Sequence, residues 1–247
     1  MDAVLLRRFR SHVQNENWFA VFLDLTVVVV GLFIGLQIDA WWDGQKELQY
    51  EAAYLLEIQE DFELNDADLK DMASDLEEIL QNIIVLLEQS ALATPELTVA
   101  ELNEHFSHVI RMPTFIPVNR AYSNLIGSGD LKLIRSRALK NALAEYYAAA
   151  KVIVLVQNTH EMELVQIYEP YIIEYLDYPA VQRKRIEGFS MPPALDEAII
   201  LDVLGSRKFR NILSQKWIIL SDLLNLQREM LVRTERVLGM LELNDRD

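Results

Sequence analysis

The sequence predicts an all-α protein: a single N-terminal transmembrane helix continuing into an elongated extramembrane helical bundle. Three observations predict it. An apolar run long enough to cross a bilayer lies near the start, Gly and Pro are scarce at 8 and 7 in 247 residues, and no segment shows a convincing period-two alternation. Few helix breakers among abundant Leu, Ala, Glu and Ile favour helices over strands. Apolar residues make up 51% of the chain, enough for a large core. The expected division is a basic cytoplasmic segment at 1–17, a membrane helix at 18–42 and a periplasmic helical-bundle domain at 43–247.

Phe19 to Ile38 holds one ionisable side chain, Asp24. At about 1.5 Å per residue, some 20 helical residues cover roughly 30 Å of hydrocarbon. Trp18 precedes the run, and Trp41 and Trp42 follow it, as suits the two membrane interfaces. A cleaved signal peptide would have a shorter apolar core and a small-residue exit, whereas this run ends Gln37-Ile38-Asp39-Ala40-Trp41-Trp42. A buried soluble helix is the other rival, and four consecutive valines between symmetric Trp flanks argue against it. Arg7, Arg8 and Arg10 precede the span and only Lys46 closely follows it. The positive-inside rule then puts the N-terminus in the cytoplasm and the rest in the periplasm of a bacterial inner membrane. Ala3–Val13 has the makings of a short basic amphipathic helix on the inner surface.

Gly31 and Gly35 form a Gly-x-x-x-Gly pair, which lets a second helix approach closely. Such pairs are common in membrane helices by chance. Asp24 is more informative, because a carboxylate inside a span is costly and usually faces protein or water. Its bland alternative is a shallow position reaching the headgroups. Asp24 and Gly31 are seven residues apart and share a helix face. The expected contacts are membrane lipid and either other membrane subunits or a second copy of the chain.

Beyond the span, Asp39–Leu92 reads as one long helix. Leu48, Leu55, Phe62, Leu69, Leu76 and Ile83 recur every seven residues. Ala52, Ala73, Leu80 and Leu87 fill the adjoining seam, interrupted by Gln59 and Asp66. This is a bundle or coiled-coil pattern. Pro95 ends the helix. Thr98-Val-Ala-Glu101 is a capping box that starts a helix reaching about Ile110. Pro113 and Pro117 bracket a loop, and a helix follows over roughly Asn119–Ile126 with a turn at Gly127-Ser-Gly-Asp130. Ser136 caps a long helix to about Tyr178, kinked at Pro170. Pro179–Pro193 is a loop carrying Arg183-Lys184-Arg185, Asp196–Leu204 a short helix, and Arg207–Leu241 a final long one.

The net charge is −15 and unevenly spread. Residues 39–104 hold 18 acids against Lys46 and Lys70, a net of −16, while 105–247 are nearly balanced. So acidic a segment repels phosphate backbones, which argues against a nucleic-acid partner. It is either a solvated helix face or a docking surface for a basic partner. With no cysteine in the chain, disulfides, thiolate catalysis and Cys-based zinc sites are impossible.

Two stretches carry a family resemblance. They are Val29–Trp41 (VVGLFIGLQIDAW) and Tyr122–Tyr147 (YSNLIGSGDLKLIRSRALKNALAEYY). The chain resembles a family of bacterial inner-membrane proteins of uncharacterised function, with one N-terminal transmembrane helix and a helical tail. In that family a carboxylate stands early in the span and a Gln-Ile-Asn-like exit precedes Trp. Asp24 and Gln37-Ile38-Asp39 look like those positions, although the family often has Glu at the first and Asn at the last. The resemblance covers about a third of the chain. It implies topology and brings no catalytic residues with it.

The sequence offers little chemistry. His105 and His108 lie three apart on one predicted helix, and Glu101 and Glu104 stand four residues before each. Such Glu and His spacing can hold a divalent metal, but exposed pairs of this kind are usually just solvated. His12 and His160 stand alone. Asn65–Asp71 resembles a calcium loop only superficially, lacking its Gly and distal Glu. No phosphate-binding, nucleophile-elbow or zincin motif is present. Tyr168, Tyr171, Tyr175 and Tyr178 form a stripe that either packs in the bundle or meets another protein. The expected function is therefore non-enzymatic and cofactor-free: an accessory or scaffolding subunit of a larger inner-membrane complex, respiratory, photosynthetic or transport-type. The alternatives are a homo-oligomer or pore with Asp24 at the helix interface, and a periplasmic metal-dependent enzyme using His105 and His108.

Overall fold

The structure, a computed structural model, describes residues 18–182 and 192–244. The expected surface helix at 3–13 and the basic triplet at 183–185 lie outside them, as do the side chains of Trp18 and Asp24. Among the described residues every regular element is helical, so the protein is all-α. The chain divides into two units, Met1–Ala53 and Tyr54–Asp247.

Helix α1 runs without a break over Trp18–Gln89. Among the described residues of the first unit it is the one element. Its side chains from Leu25 through Trp42 are exposed, and an 18-residue window of it has mean hydropathy 1.8 with nothing buried. This is the one helix among the described residues long and apolar enough to cross a membrane. The Thr26 hydroxyl donates to the carbonyl of Phe22 at 2.7 Å, a back-bond common for threonine in helices.

In the second unit the long helices share one rule. From Ile58, α1 buries Phe62, Asn65, Leu69, Met72, Leu76, Ile79, Ile83, Leu86 and Ser90, alternating steps of four and three. Helix α4 follows α2 (Val99–Val109) and α3 (Arg120–Ser128) and spans Arg137–Glu163. It buries Leu139, Leu143, Tyr146, Ala150, Ile153, Gln157 and His160 in the same rhythm. Helix α8, Arg207–Asn244, comes after the short helices α5 (Glu169–Tyr175), α6 (Tyr178–Val181) and α7 (Ile199–Leu204). Its buried row runs Phe209, Leu213, Lys216, Leu220, Leu223, Gln227, Met230, Thr234, Val237, Leu241. A strict 3.5-residue period keeps one seam facing its neighbours along the whole helix, which is coiled-coil packing.

Salt bridges give the directions. Glu77 pairs with Arg228, and Lys70 lies under the charge of Glu235, so α1 and α8 are antiparallel. Glu145 meets Arg236 while Glu163 meets Gln215, so α4 and α8 are antiparallel too. Phe62 of α1 packs its ring 4.5 Å from that of Tyr146, and Tyr147 stacks on Tyr122 at 4.4 Å.

The expected α1 seam needs correction. The seven-residue row through Phe62, Leu69, Leu76 and Ile83 is buried, but its partner row lies three residues on, at Asn65, Met72, Ile79 and Leu86. Of the expected seam Ala73 is buried, Leu55, Leu80 and Leu87 are only partly buried against the core, and Leu48 and Ala52 are exposed. Both rows carry apolar residues, so hydrophobicity alone left the choice open.

Polar side chains pin the irregular segments. The Thr98–Glu101 capping box forms, with Thr98 backbone N–H donating to Glu101 at 2.8 Å. Asn119 makes no side-chain cap on α3. Buried Asp61 of α1 takes that role, accepting from Ala121 N–H at 2.9 Å and from Arg120 at 2.8 and 3.0 Å. The extended stretch before α3 has no strand beside it, and carboxamides substitute for one. Asn65 accepts from Val118 N–H (2.7 Å) and donates to its carbonyl (2.9 Å). Gln157, assigned with its amide nitrogen toward Phe115 O (3.0 Å), accepts from Phe115 N–H (2.9 Å). Helix α3 continues through Gly127 and Ser128, and Gly129 alone closes it at φ +78°, a conformation glycine adopts without strain.

The long helix expected over Ser136–Tyr178 is also different. It stops at Glu163, and a π-helical turn spans Leu164–Tyr168 before α5. Pro170 has no N–H to give, and its ring crowds the carbonyl four residues back. The chain absorbs this upstream of the proline, with Glu169 N–H reaching back five residues to Leu164 O. The extra residue in the turn rotates the seam. A continued four-three repeat from His160 would bury Ile167, which is instead 38% exposed, and Tyr168 is buried in its place.

Candidate functional site

Three places concentrate groups capable of function. The first is the exposed part of α1. At Gly31 and Gly35 an added Cβ would meet nothing within 4 Å, so both glycines present open backbone. A shallow hollow of about 300 Å³ lies between Phe33, Ile34, Gln37, Ile38 and Trp41. Trp41 and Trp42 pack edge to face at 5.3 Å.

The second is the α2 surface that carries the histidines. His105 Nδ1 lies 2.6 Å from Asn82 Oδ1 of α1. His108 Nδ1 lies 3.0 Å from Glu78 without hydrogen-bond alignment, and its Nε2 is 3.6 Å from Glu104. Glu101 is engaged by the cap, whose backbone and hydroxyl donors hold its carboxyl below the ordinary range. Arg111 neutralises Glu78 (2.6 Å) and Asp75. The two imidazoles thus face different partners, and among the described residues no three His, Asp or Glu side chains come together as a metal site. The four expected ligands are not one constellation, because the cap turns Glu101 back toward Thr98.

Beside this surface opens a cleft of about 710 Å³, lined by His108, Arg111, Leu164, Glu169, Ile172 and Tyr178 among others. Its carboxylates and its paired arginine make a mixed rim over an apolar floor.

The third place lies behind the cleft, around the π-helical turn. Lys216, 2% exposed, occupies a core position of α8. Its Nζ donates to the Arg111 carbonyl at 3.3 Å and sits 5.4 Å from the Tyr168 ring centre. Burial pushes its ammonium down to about 7. His160, 1% exposed, has no hydrogen-bond partner on either ring nitrogen and is pushed down to about 4 by burial and by the nearby Lys216. Glu163 Oε2 stands 3.9 Å from its Nδ1. Burial raises the Tyr168 phenol well above its ordinary value, and its hydroxyl has no protein partner.

The tyrosine stripe is therefore split. Tyr168 and Tyr171 are core residues, 4% and 5% exposed, and cannot form a protein interface. Lys208 lies over the rings of Tyr171 and half-exposed Tyr175, and Tyr178 begins the separate helix α6 in the cleft wall. The stripe is broken where α5 ends, because extended backbone at Leu176 and Asp177 separates Tyr175 from Tyr178. Sequence reasoning missed Lys216 as a special group. The signal was there, since Lys216 falls in the four-three row of α8 between Leu213 and Leu220.

Comparison of the chain with protein-family models, with curated proteins and with solved structures gave no match.

Proposed function

We propose that the protein is a membrane-anchored, non-enzymatic assembly subunit whose N-terminal helix docks against another membrane helix. One observation carries this reading: in α1 an apolar stretch of membrane-spanning length has none of its hydropathic window buried by the described residues. Such a surface demands lipid or another protein. Open glycine backbone at Gly31 and Gly35 favours close helix contact on one side, and Asp24 lies on the same helix face by spacing. The Arg-rich flank before the span favours a cytoplasmic N-terminus and a periplasmic second unit, in a bacterial inner membrane. The second unit supplies the docking body, and α1, α4 and α8 give it a rigid seam.

The test is gentle detergent extraction from native membranes followed by mass measurement of wild type, Asp24→Leu and the Gly31→Ile/Gly35→Ile double variant. The expected result is an assembly larger than one chain, lost in the variants while membrane insertion is unchanged. A monomer in the wild type, or an assembly indifferent to all three positions, overturns the proposal. If the assembly contains only this chain, it is the homo-oligomer rather than a subunit of a mixed complex.

A further inference from the structure

We propose that Lys216, His160 and Tyr168, gathered round the π-helical turn Leu164–Tyr168, form a protonation-sensitive latch that holds Leu164 in the wall of the cleft. The geometry comes first. Leu164, Ile110 and Ile172 line the 710 Å³ cleft on one side and a small apolar void on the other. Lys216, Tyr168, Tyr171 and Phe209 close that void from behind. The cleft wall is thus one side chain thick, and two buried bases stand behind it.

The turn is the weakest part of this wall. A π-turn interrupts the regular hydrogen-bond ladder and recurs at functional positions in helices. Here it places Tyr168 against Lys216 and leaves Ile167 outside. Every element packed on Lys216 can be named by its charged and titratable groups. From the segment just after α2 comes the Arg111 carbonyl, with the Arg111 guanidinium turned away onto Asp75 and Glu78. From α4 come His160 and Glu163, whose carboxylate also accepts from Gln215. From the turn and α5 come Tyr168 and Tyr171, and α8 itself adds Lys208 over Tyr171. Among the described residues no carboxylate forms an ion pair with Lys216. An ammonium there has one carbonyl and one ring face to replace its hydration, too little for a buried charge.

The direction of the response follows. Burial lowers Lys216 from 10.5 to about 7, so the latched state binds fewer protons than an opened one between those values. Stability of the latch therefore rises with pH across that window and is lost as pH falls toward 7. His160, lowered from 6.5 to about 4, repeats this between pH 6.5 and 4. Acid loosens the turn in two steps, and opening exposes Lys216 to the cleft.

The test is amide hydrogen exchange of the full-length protein in detergent, read over residues 164–176 and corrected for intrinsic pH effects. The wild type should exchange faster by on the order of tenfold from pH 9 to 7, and again from 6.5 to 4.5. Lys216→Met keeps the apolar stem, removes the charge and should abolish the alkaline step alone. His160→Leu should abolish the acidic step alone. A wild type with flat corrected exchange over both windows overturns the latch. So do variants that both keep the wild-type steps.

Discussion

Asp61 shows how one buried side chain decides a local structure. It is 1% exposed, yet a carboxylate in a core is tolerated only with full pairing. Here its two oxygens take up the first-turn N–H of α3 and the Arg120 guanidinium, so the charge serves as a cap supplied from another helix. Asp61→Ala should cost about 2–4 kcal/mol in urea unfolding, because it strips α3 of its cap and leaves Arg120 unpaired. Arg120→Ala should cost less than Asp61→Ala, since the Asp61 cap on the Ala121 N–H survives and the arginine side chain is itself 66% exposed. Equal losses would contradict the assignment of the cap to Asp61. None of this was legible in the sequence. Asp61 lies nearly sixty residues before the helix that it caps.

At the scale of elements, composition and proline placement marked out nearly every helix, and the capping box at Thr98 and the Ser136 cap both form. Two things were hidden. The register of α1 was ambiguous because apolar residues flank the Phe62 row on both sides. It is settled by the partners, since Asn65 must reach Val118 and Asp61 must reach Ala121. Truncation separates the two registers. Ile79→Ala should cost about 2–5 kcal/mol in thermal or urea unfolding, against distinctly less for Leu80→Ala at the seam's edge. The reverse order would mean the helix is rotated from its described position. The π-turn was hidden for another reason. Pro170 announces a defect, but whether the chain kinks at the proline or loosens upstream depends on which residue the core prefers to bury. Here Tyr168, facing Lys216, wins over Ile167.

At the scale of the whole molecule, the seam of α1, α4 and α8 is punctuated by Asn65, Gln157, His160, Lys216, Gln227 and Thr234, all buried. Polar groups in a heptad seam lower stability but fix which neighbour sits opposite. That trade is consistent with the docking body proposed above. The N-terminal part of α1 follows the opposite rule, with apolar side chains all round and exposed among the described residues. Its character was the most legible feature of the sequence, because a run of twenty residues, Phe19–Ile38, with one ionisable side chain and tryptophans at both ends leaves few alternatives. The central claim is that this stretch lies in lipid and stays joined to the mature chain. Alkaline washing of membranes from cells making the protein, followed by N-terminal mapping of the retained chain, tests it most directly. The account predicts a protein that stays in the pellet until detergent is added, with Phe19–Ile38 still attached. Release into the alkaline supernatant, or a mature chain beginning after Trp42, would contradict it.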